Sequence, residues 1–306
     1  MRIVFFGTPA FAVPSLEALI AERATIVGVV TQPDKARGRS RSTLVPPPVK
    51  QVAERHGLPV LQPERPAGDV FLAALRHWQP ELGVVVAYGH LIRPEVLSLP
   101  SRGMINVHAS LLPALRGAAP VNWAILRGDP DTGVTIIQMD QGMDSGPILR
   151  QTATPVGARE TSGELAARLA SLGAETLIET LALMQMGRIQ PTPQDPALAS
   201  FAPKINRQLT RLDWTETAAA VSRRIRAFDP EPGAWTMWSQ SEVKLFGPSV
   251  VPGDGRPGEV VATEPLRVAA GRGVVEIGEV RPAGRARMSG EAWCRGRGPN
   301  PGDELE

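Results

Sequence analysis

The chain has 306 residues, 42% of them hydrophobic and 21% charged, which is enough for two domains with cores of their own. Lys and Arg outnumber Asp and Glu by only 33 to 31, so composition announces no nucleic-acid binder; a case for RNA must rest on where charge is placed. Cys294 is the single cysteine, which excludes an intrachain disulfide and a multi-cysteine zinc site.

MRIVFFGTP opens the chain with an apolar run that stops at Gly7, too short for a leader and well suited to a first strand. The runs 2–6, 24–31, 82–88, 104–108 and 133–139 are rich in Val and Ile and read as strands. Helical patterns lie between them at 10–22, 48–57 and 69–78, and a further helix starts near Pro120. This alternation implies a parallel sheet covered on both faces, with its site at the carboxyl ends of the strands. Residues 161–187 predict a long amphipathic helix with a Thr-Ser start and a Gly stop. Prolines at 191, 193, 196 and 203 then mark 189–204 as a linker. Beyond it, one helix over 215–228 precedes short runs (AWTMW, EVKLF, GEVVAT, LRVAA, GVVEIGEV) that suggest a small OB-like barrel. The terminal GRGPNPGDELE is expected to be mobile. No window approaches the ~18 apolar residues of a membrane span, and the expected location is the cytoplasm.

Three stretches carry candidate chemistry. In GMINVHASLLPALRGAAP (103–120), the period of two places Asn106 and His108 on one strand face, with Ile105 and Val107 on the other. An imidazole exchanges protons near neutrality, and an amide donates to a developing oxyanion without ionising. A strand-end Asn and His also serve simply to satisfy loop carbonyls, and spacing alone leaves both readings open. Pro113, Arg116 and Gly117 make the following loop stiff, cationic and sharply turned. In QMDQGMDSGPIL (138–149), Asp140 and Asp144 lie among glycines. Either carboxylate can orient His108 or take up a proton, and both residues suit turns and caps equally.

The third stretch, DKARGRSRSTLVPPPVK (34–50), sets Lys35, Arg37, Arg39, Arg41 and Lys50 against Asp34 alone. A connection this long and basic, at the carboxyl ends of the strands, suits phosphates, although charge runs are commonly just solvated. Residues 204–306 hold 15 basic and 14 acidic side chains, too balanced for strong non-specific RNA binding. Trp214, Trp235, Trp238 and Trp293 read as core. The first βα turn, FFGTPAFAVP, lacks the G-x-G-x-x-G dinucleotide fingerprint, and no Walker A sequence occurs.

The stretches FFGTPAFAVPSLEAL, VVTQPDKARGR, PPPVKQVAERHGLPVLQPE, VVVAYGHLIRPEVL, GMINVHASLLPALRGAAP and TGVTIIQMDQGMDSGPIL, with the later RLDWTETAAAVSRRIRAFDPEPGAW, resemble the methionyl-tRNA formyltransferase family almost end to end. The Asn-x-His-x-Ser-Leu-Leu-Pro core recurs in other folate-dependent formyltransferases and specifies the chemistry more than the acceptor. The basic loop, GAAPVNWAI and the second domain favour the tRNA enzyme. The resemblance implies an α/β chain: a Rossmann-like formyltransferase domain with a mostly parallel sheet over 1–188, a linker over 189–206, and a smaller OB-like β-barrel, tRNA-contacting, over 207–306. It implies transfer of the formyl group of 10-formyltetrahydrofolate to the α-amine of methionine on initiator tRNA. Asn106 would stabilise the oxyanion of a tetrahedral intermediate, and His108 and Asp144 would manage protons. Asp144 is preferred to Asp140 because it occupies the family's catalytic aspartate in M-D-x-G-[LM]-D-[ST]-G. Ala87, Tyr88 and Gly89, the turn Ser110, Leu111, Leu112 and Pro113, and Gln138, Met139 and Asp140 would wall the folate pocket. Lys35, Arg37, Arg39 and Arg41 would hold the tRNA, with Arg39 and Arg41 leading. No metal, membrane or obligate protein partner is expected.

Two rivals stand beside this reading. A formyltransferase acting on a sugar nucleotide or on glycinamide ribonucleotide would share the Asn-His-Asp chemistry without needing the basic loop. A non-catalytic RNA-binding protein with a relic Rossmann domain would keep its function without His108.

Overall fold

The computed structural model describes residues 1–37 and 43–306. Arg39 and Arg41, expected to contact tRNA, lie outside the described residues.

The chain begins β1 (Arg2–Gly7), α1 (Val13–Ala21) and β2 (Thr25–Val30), then an antiparallel pair, β3 (Lys35–Arg37) and β4 (Thr43–Val45). It continues through α2 (Pro48–Arg55), β5 (Val60–Leu61), α3 (Asp69–His77), β6 (Leu82–Val86), α4 (Pro94–Leu97) and β7 (Met104–His108). After β8 (Arg116–Gly117), α5 (Pro120–Arg127), β9 (Asp131–Gln138) and β10 (Ile148–Pro155) comes the 24-residue α6 (Ser162–Gln185). Proline sits at the start of α2, α4 and α5, where its fixed φ suits a first turn and its missing N–H costs no bond.

The main sheet runs β10-β9-β7-β6-β1-β2-β5. β5, β2, β1, β6 and β7 are parallel neighbours, whereas β9 runs antiparallel to β7. Every residue of β6 is buried, as a strand covered on both faces requires. Val4, Phe6, Val85 and Met104 share one face with Phe71, Leu72 and Leu75 of α3. On the other face Val107 approaches Gly173 of α6. Asn106 and His108 have the parity of Met104 and carry its face on to the carboxyl end of the strand.

The later chain holds β11 (Phe201–Ala202), α7 (Ala218–Ala227) and an antiparallel sheet of β12 (Ala234–Trp238), β13 (Ser241–Val251), β14 (Val260–Thr263), β15 (Leu266–Ala269), β16 (Val274–Pro282) and β17 (Met288–Ser289), followed by α8 (Gly290–Gly296). The sheet order is β12-β13-β16-β15-β14, with β17 on β16. The α7 helix begins at Ala218 rather than 215 because the Thr217 hydroxyl caps it, accepting from the Ala220 N–H.

The terminal segment, expected to be mobile, is pinned at both edges of this sheet. On the β14 side, Val260 N donates to Asp303 O and Leu305 N to Gly258 O, each at 2.8 Å. On the β12 side, Met237 and Glu306 exchange backbone bonds of 2.8 and 2.9 Å. Leu305 is buried, so the tail bridges the two edge strands and covers groups that an open edge would expose. The tryptophans divide: Trp214 and Trp293 are buried, while Trp235 is half-buried under the guanidinium groups of Arg207 and Arg211.

Two compact units interleave in sequence. One comprises Met1–Gly117, Thr132–Thr154 and Ala166–Phe201; the other comprises Ala118–Asp131, Pro155–Leu165 and Ala202–Glu306. In the second unit α5 packs on α7, where Asn122 Nδ2 donates to Ala227 O at 2.7 Å.

Candidate active site

The site lies at the carboxyl end of β7, where the loop after β7 meets the loop after β9. The antiparallel register sets Asn106 opposite Ile137 and His108 opposite Thr135. His108 is buried, with Nε2 3.0 Å from Leu115 O and Nδ1 3.6 Å from Asp144 Oδ2. A carbonyl only accepts, so this bond assigns the proton of the neutral ring to Nε2 and turns the Nδ1 lone pair toward Asp144. Asn106 Nδ2 stands 3.5 Å from Asp144 Oδ1, and the Gly117 N–H donates to Asp144 Oδ2 at 2.8 Å. The three residues expected to be catalytic therefore converge, with the carboxylate set between amide and imidazole.

The positions of Asp144 and Asp140 follow from their turn. Asp144 has φ +50°, an uncommon conformation for a residue with a Cβ. A Cβ added to Gly146 would fall 1.8 Å from Gln138 O, so only glycine lets the loop return this closely to β9. Asp140 does not join the cluster. Its carboxylate accepts from Gly142 N at 2.9 Å and from Ser145 Oγ at 2.9 and 3.1 Å, which closes the turn.

The Ser110–Pro113 turn is braced by side chains that sequence reasoning missed. The fully buried Thr135 hydroxyl donates to Ser110 O at 2.6 Å and accepts from Leu112 N at 3.1 Å. Gln151 Nε2 donates to Leu112 O at 2.7 Å and to Thr135 Oγ1 at 2.9 Å. The Ser110 hydroxyl donates within the turn to Ala114 O at 2.6 Å. The available signal was a threonine in register with His108 across the β7–β9 pair, and it is visible only once that pairing is known.

At the end of β6, Ala87 and Gly89 both have positive φ, 46° and 84°. The Tyr88 ring turns away from the strand end into the core, packing edge-on against Phe6 at 5.4 Å, and burial pushes its phenol up to about 12. Its carbonyl accepts from Thr8 Oγ1 at 2.9 Å and Gln32 Nε2 at 3.1 Å. Gln138 Nε2 donates to Met104 O at 3.2 Å, and Met139 lies against the same core.

At the foot of the basic loop, the Asp34 carboxylate accepts from Gln62 Nε2 at 2.7 Å and from Lys50 Nζ at 2.9 and 2.8 Å. These bonds hold its carboxyl below the usual range, the Gln62 bond first. Lys50 thus neutralises Asp34. Lys35 is exposed, and Arg37 lies in the β3 backbone pairing. Among the described residues no cluster of three or more His, Cys, Asp or Glu has metal-binding geometry. Among them, too, no helix is long and apolar enough to cross a membrane.

An amide, an imidazole and a carboxylate thus converge at one strand end of a mostly parallel α/β sheet. Residues 1–181 match the formyl transferase family and residues 204–298 the formyl transferase C-terminal domain. The chain is 43% identical to a methionyl-tRNA formyltransferase of Magnetococcus marinus over 99% of its own length and 98% of that protein's. It is 45% identical to one of Chloroflexus aggregans over 97% of each. The chain belongs to the methionyl-tRNA formyltransferase family. Its fold is shared with HypX from Aquifex aeolicus, solved in complex with tetrahydrofolic acid (TM-score 0.69, 22% identity), over 96% of this chain and 47% of that one. It is shared too with WlaRD, a sugar 3N-formyl transferase (TM-score 0.70, 17% identity), over 94% and 99%.

Proposed function

We propose that this enzyme transfers the formyl group of 10-formyltetrahydrofolate to the α-amino group of methionine on initiator tRNA, in the cytoplasm, with residues 1–188 as the catalytic domain and 207–306 as a tRNA-contacting domain. The observation that carries the reading is the convergence of Asn106, His108 and Asp144 within 3.5–3.6 Å at the end of β7. This donor set fits a formyl amide. It offers an uncharged N–H for the oxygen, a lone pair for the amine proton, and a carboxylate for the cation that results.

As the amine nitrogen bonds to the formyl carbon, the carbonyl electron pair moves onto oxygen, where Asn106 Nδ2 donates to it. His108 Nδ1 takes the amine proton, and the imidazolium then lies against Asp144 with its Nε2–H fixed on Leu115 O. Collapse breaks the bond from carbon to the folate nitrogen, and the same imidazolium returns its proton to that nitrogen. A single preorganised oxyanion donor contributes roughly 10²–10³ in rate, and a positioned proton acceptor roughly 10²–10⁴. Ala87–Gly89, Ser110–Pro113 and Gln138–Asp140 would border the folate. Since the Tyr88 ring lies in the core, the contribution of that residue is its backbone. Lys35, Arg37, Arg39 and Arg41 would face the RNA phosphates.

The test is a formylation assay with the folate donor and charged initiator and elongator Met-tRNA. Formyl-methionyl product on the initiator tRNA supports the reading. An enzyme that formylates a sugar nucleotide or glycinamide ribonucleotide, and leaves Met-tRNA untouched, would overturn it.

A further inference from the structure

We propose that Gln194 is a positioning residue for Asp144, and that the proline-rich segment around it braces the two loops of the active site rather than merely connecting domains. The inference rests on the catalytic reading of Asp144 given above. The segment is docked at both ends. Ile148 and Thr192 exchange backbone bonds of 2.8 and 2.9 Å just beyond the Asp144 turn. At the other end Ser200 Oγ accepts from Leu115 N at 3.0 Å, and Ser200 O accepts from Arg116 N at 2.8 Å in the loop after β7. Pro193 and Pro196 restrict the backbone between these anchors.

Between them the Gln194 amide uses its full hydrogen-bonding capacity. Nε2 donates to Asp144 O and Gly146 O, both at 2.8 Å, and Oε1 accepts from Arg116 Nη2 at 2.7 Å and Nε at 3.1 Å. Gly117, next to Arg116, donates to the Asp144 carboxylate itself. Asp144 is thus gripped at main chain and side chain by one dipeptide, directly at Oδ2 and through Gln194 at the carbonyl. An Asp at φ +50° relaxes toward commoner backbone angles when released, and its carboxylate would swing away from His108 Nδ1. Gln194 touches no reacting atom, so its effect on rate passes through Asp144.

A double-mutant cycle on the full chain separates this from ordinary loop stabilisation, with kcat and both KM values measured below the melting transition. Gln194→Leu is expected to lower kcat about 10- to 100-fold, the scale of an ångström-sized misplacement, with KM for each substrate changed by less than about threefold. In the Asp144→Asn background the same substitution should lower the residual kcat by less than about threefold, because the positioned group is already disabled. Gln194→Glu keeps the size and the Arg116 pairing but turns an oxygen toward two carbonyls, and should be as damaging as Gln194→Leu. Arg116→Lys, which loses the two-pronged grip on Oε1, should fall between them and the wild type. If Gln194→Leu fails to fold, Arg116→Lys in the same cycle decides the matter. Equal fold-losses in both backgrounds, or a loss confined to KM, would overturn the inference. Wild-type kcat in Asp144→Asn would overturn the catalytic reading instead.

Discussion

Thr135→Val offers a sharp test of how the folate-side turn is held. Valine has nearly the shape of threonine, so the substitution removes a hydroxyl and leaves the packing in place. In the structure that hydroxyl is fully buried, donates to Ser110 O, and accepts from Leu112 N and Gln151 Nε2. Gln151 keeps its second bond to Leu112 O, so two buried backbone groups, Ser110 O and Leu112 N, lose their Thr135 bond. Each group left unsatisfied costs about 1–3 kcal/mol, and partial relaxation of a short turn brings the expected total to about 2–4 kcal/mol. Urea unfolding followed by fluorescence reads this as a lower midpoint at unchanged slope. Thr135→Ser is the control: it keeps the hydroxyl, loses one methyl, and should cost only about 1 kcal/mol. KM for the folate donor should rise in Thr135→Val more than in Thr135→Ser. A Thr135→Val variant destabilised no more than Thr135→Ser would refute the reasoning, because losing the buried hydroxyl would then cost no more than losing one methyl.

His108→Ala should reduce kcat by roughly 10²–10⁴ with tRNA affinity nearly unchanged, measured by single-turnover formylation and filter binding; intact activity would favour a non-catalytic protein. Asn106→Leu should lower kcat by roughly 10²–10³, and a loss confined to KM would remove its oxyanion role. Tyr88 is the only tyrosine, so absorbance near 295 nm should show no phenolate until pH approaches about 12. Since folding raises that pKa above the ordinary value near 10, its contribution to stability is full below about pH 10 and is lost between about 10 and 12; a normal titration would contradict the burial. Removing residues 303–306 strips bonds from both edges of the C-terminal sheet and the buried Leu305, and should cost about 3–5 kcal/mol, whereas an unchanged melting midpoint would mean the tail is not closing the sheet. Arg39→Ala with Arg41→Ala should flatten the slope of log affinity for tRNA against log salt by about 1.4–1.8, and an unaltered slope would take the loop out of the RNA interface.

What the sequence determined by itself was whatever depends on local periodicity and short-range sterics. The β7 parity puts Asn106 and His108 on one face because a strand alternates its side chains. The Val-rich runs between helical patterns require a sheet covered on both sides, and the glycines around Asp144 require a tight turn. Spacing could not choose between Asp140 and Asp144, since both sit beside glycine and each is a good turn former. The family pattern preferred Asp144, and the fold closed Asp140 onto Gly142 and Ser145 at the surface and brought Asp144 against His108 from 36 residues away in the chain. The remaining surprises are long-range in the same sense. Thr135 and Gln151 reach the Ser110–Pro113 turn from neighbouring strands, Gln194 reaches Asp144 from a stretch that reads as a linker, and the last residues close a sheet whose edges they resemble in no local pattern. Each depends on a hydrogen-bonding partner supplied by another part of the chain, and periodicity says which way a side chain points without saying what it will meet.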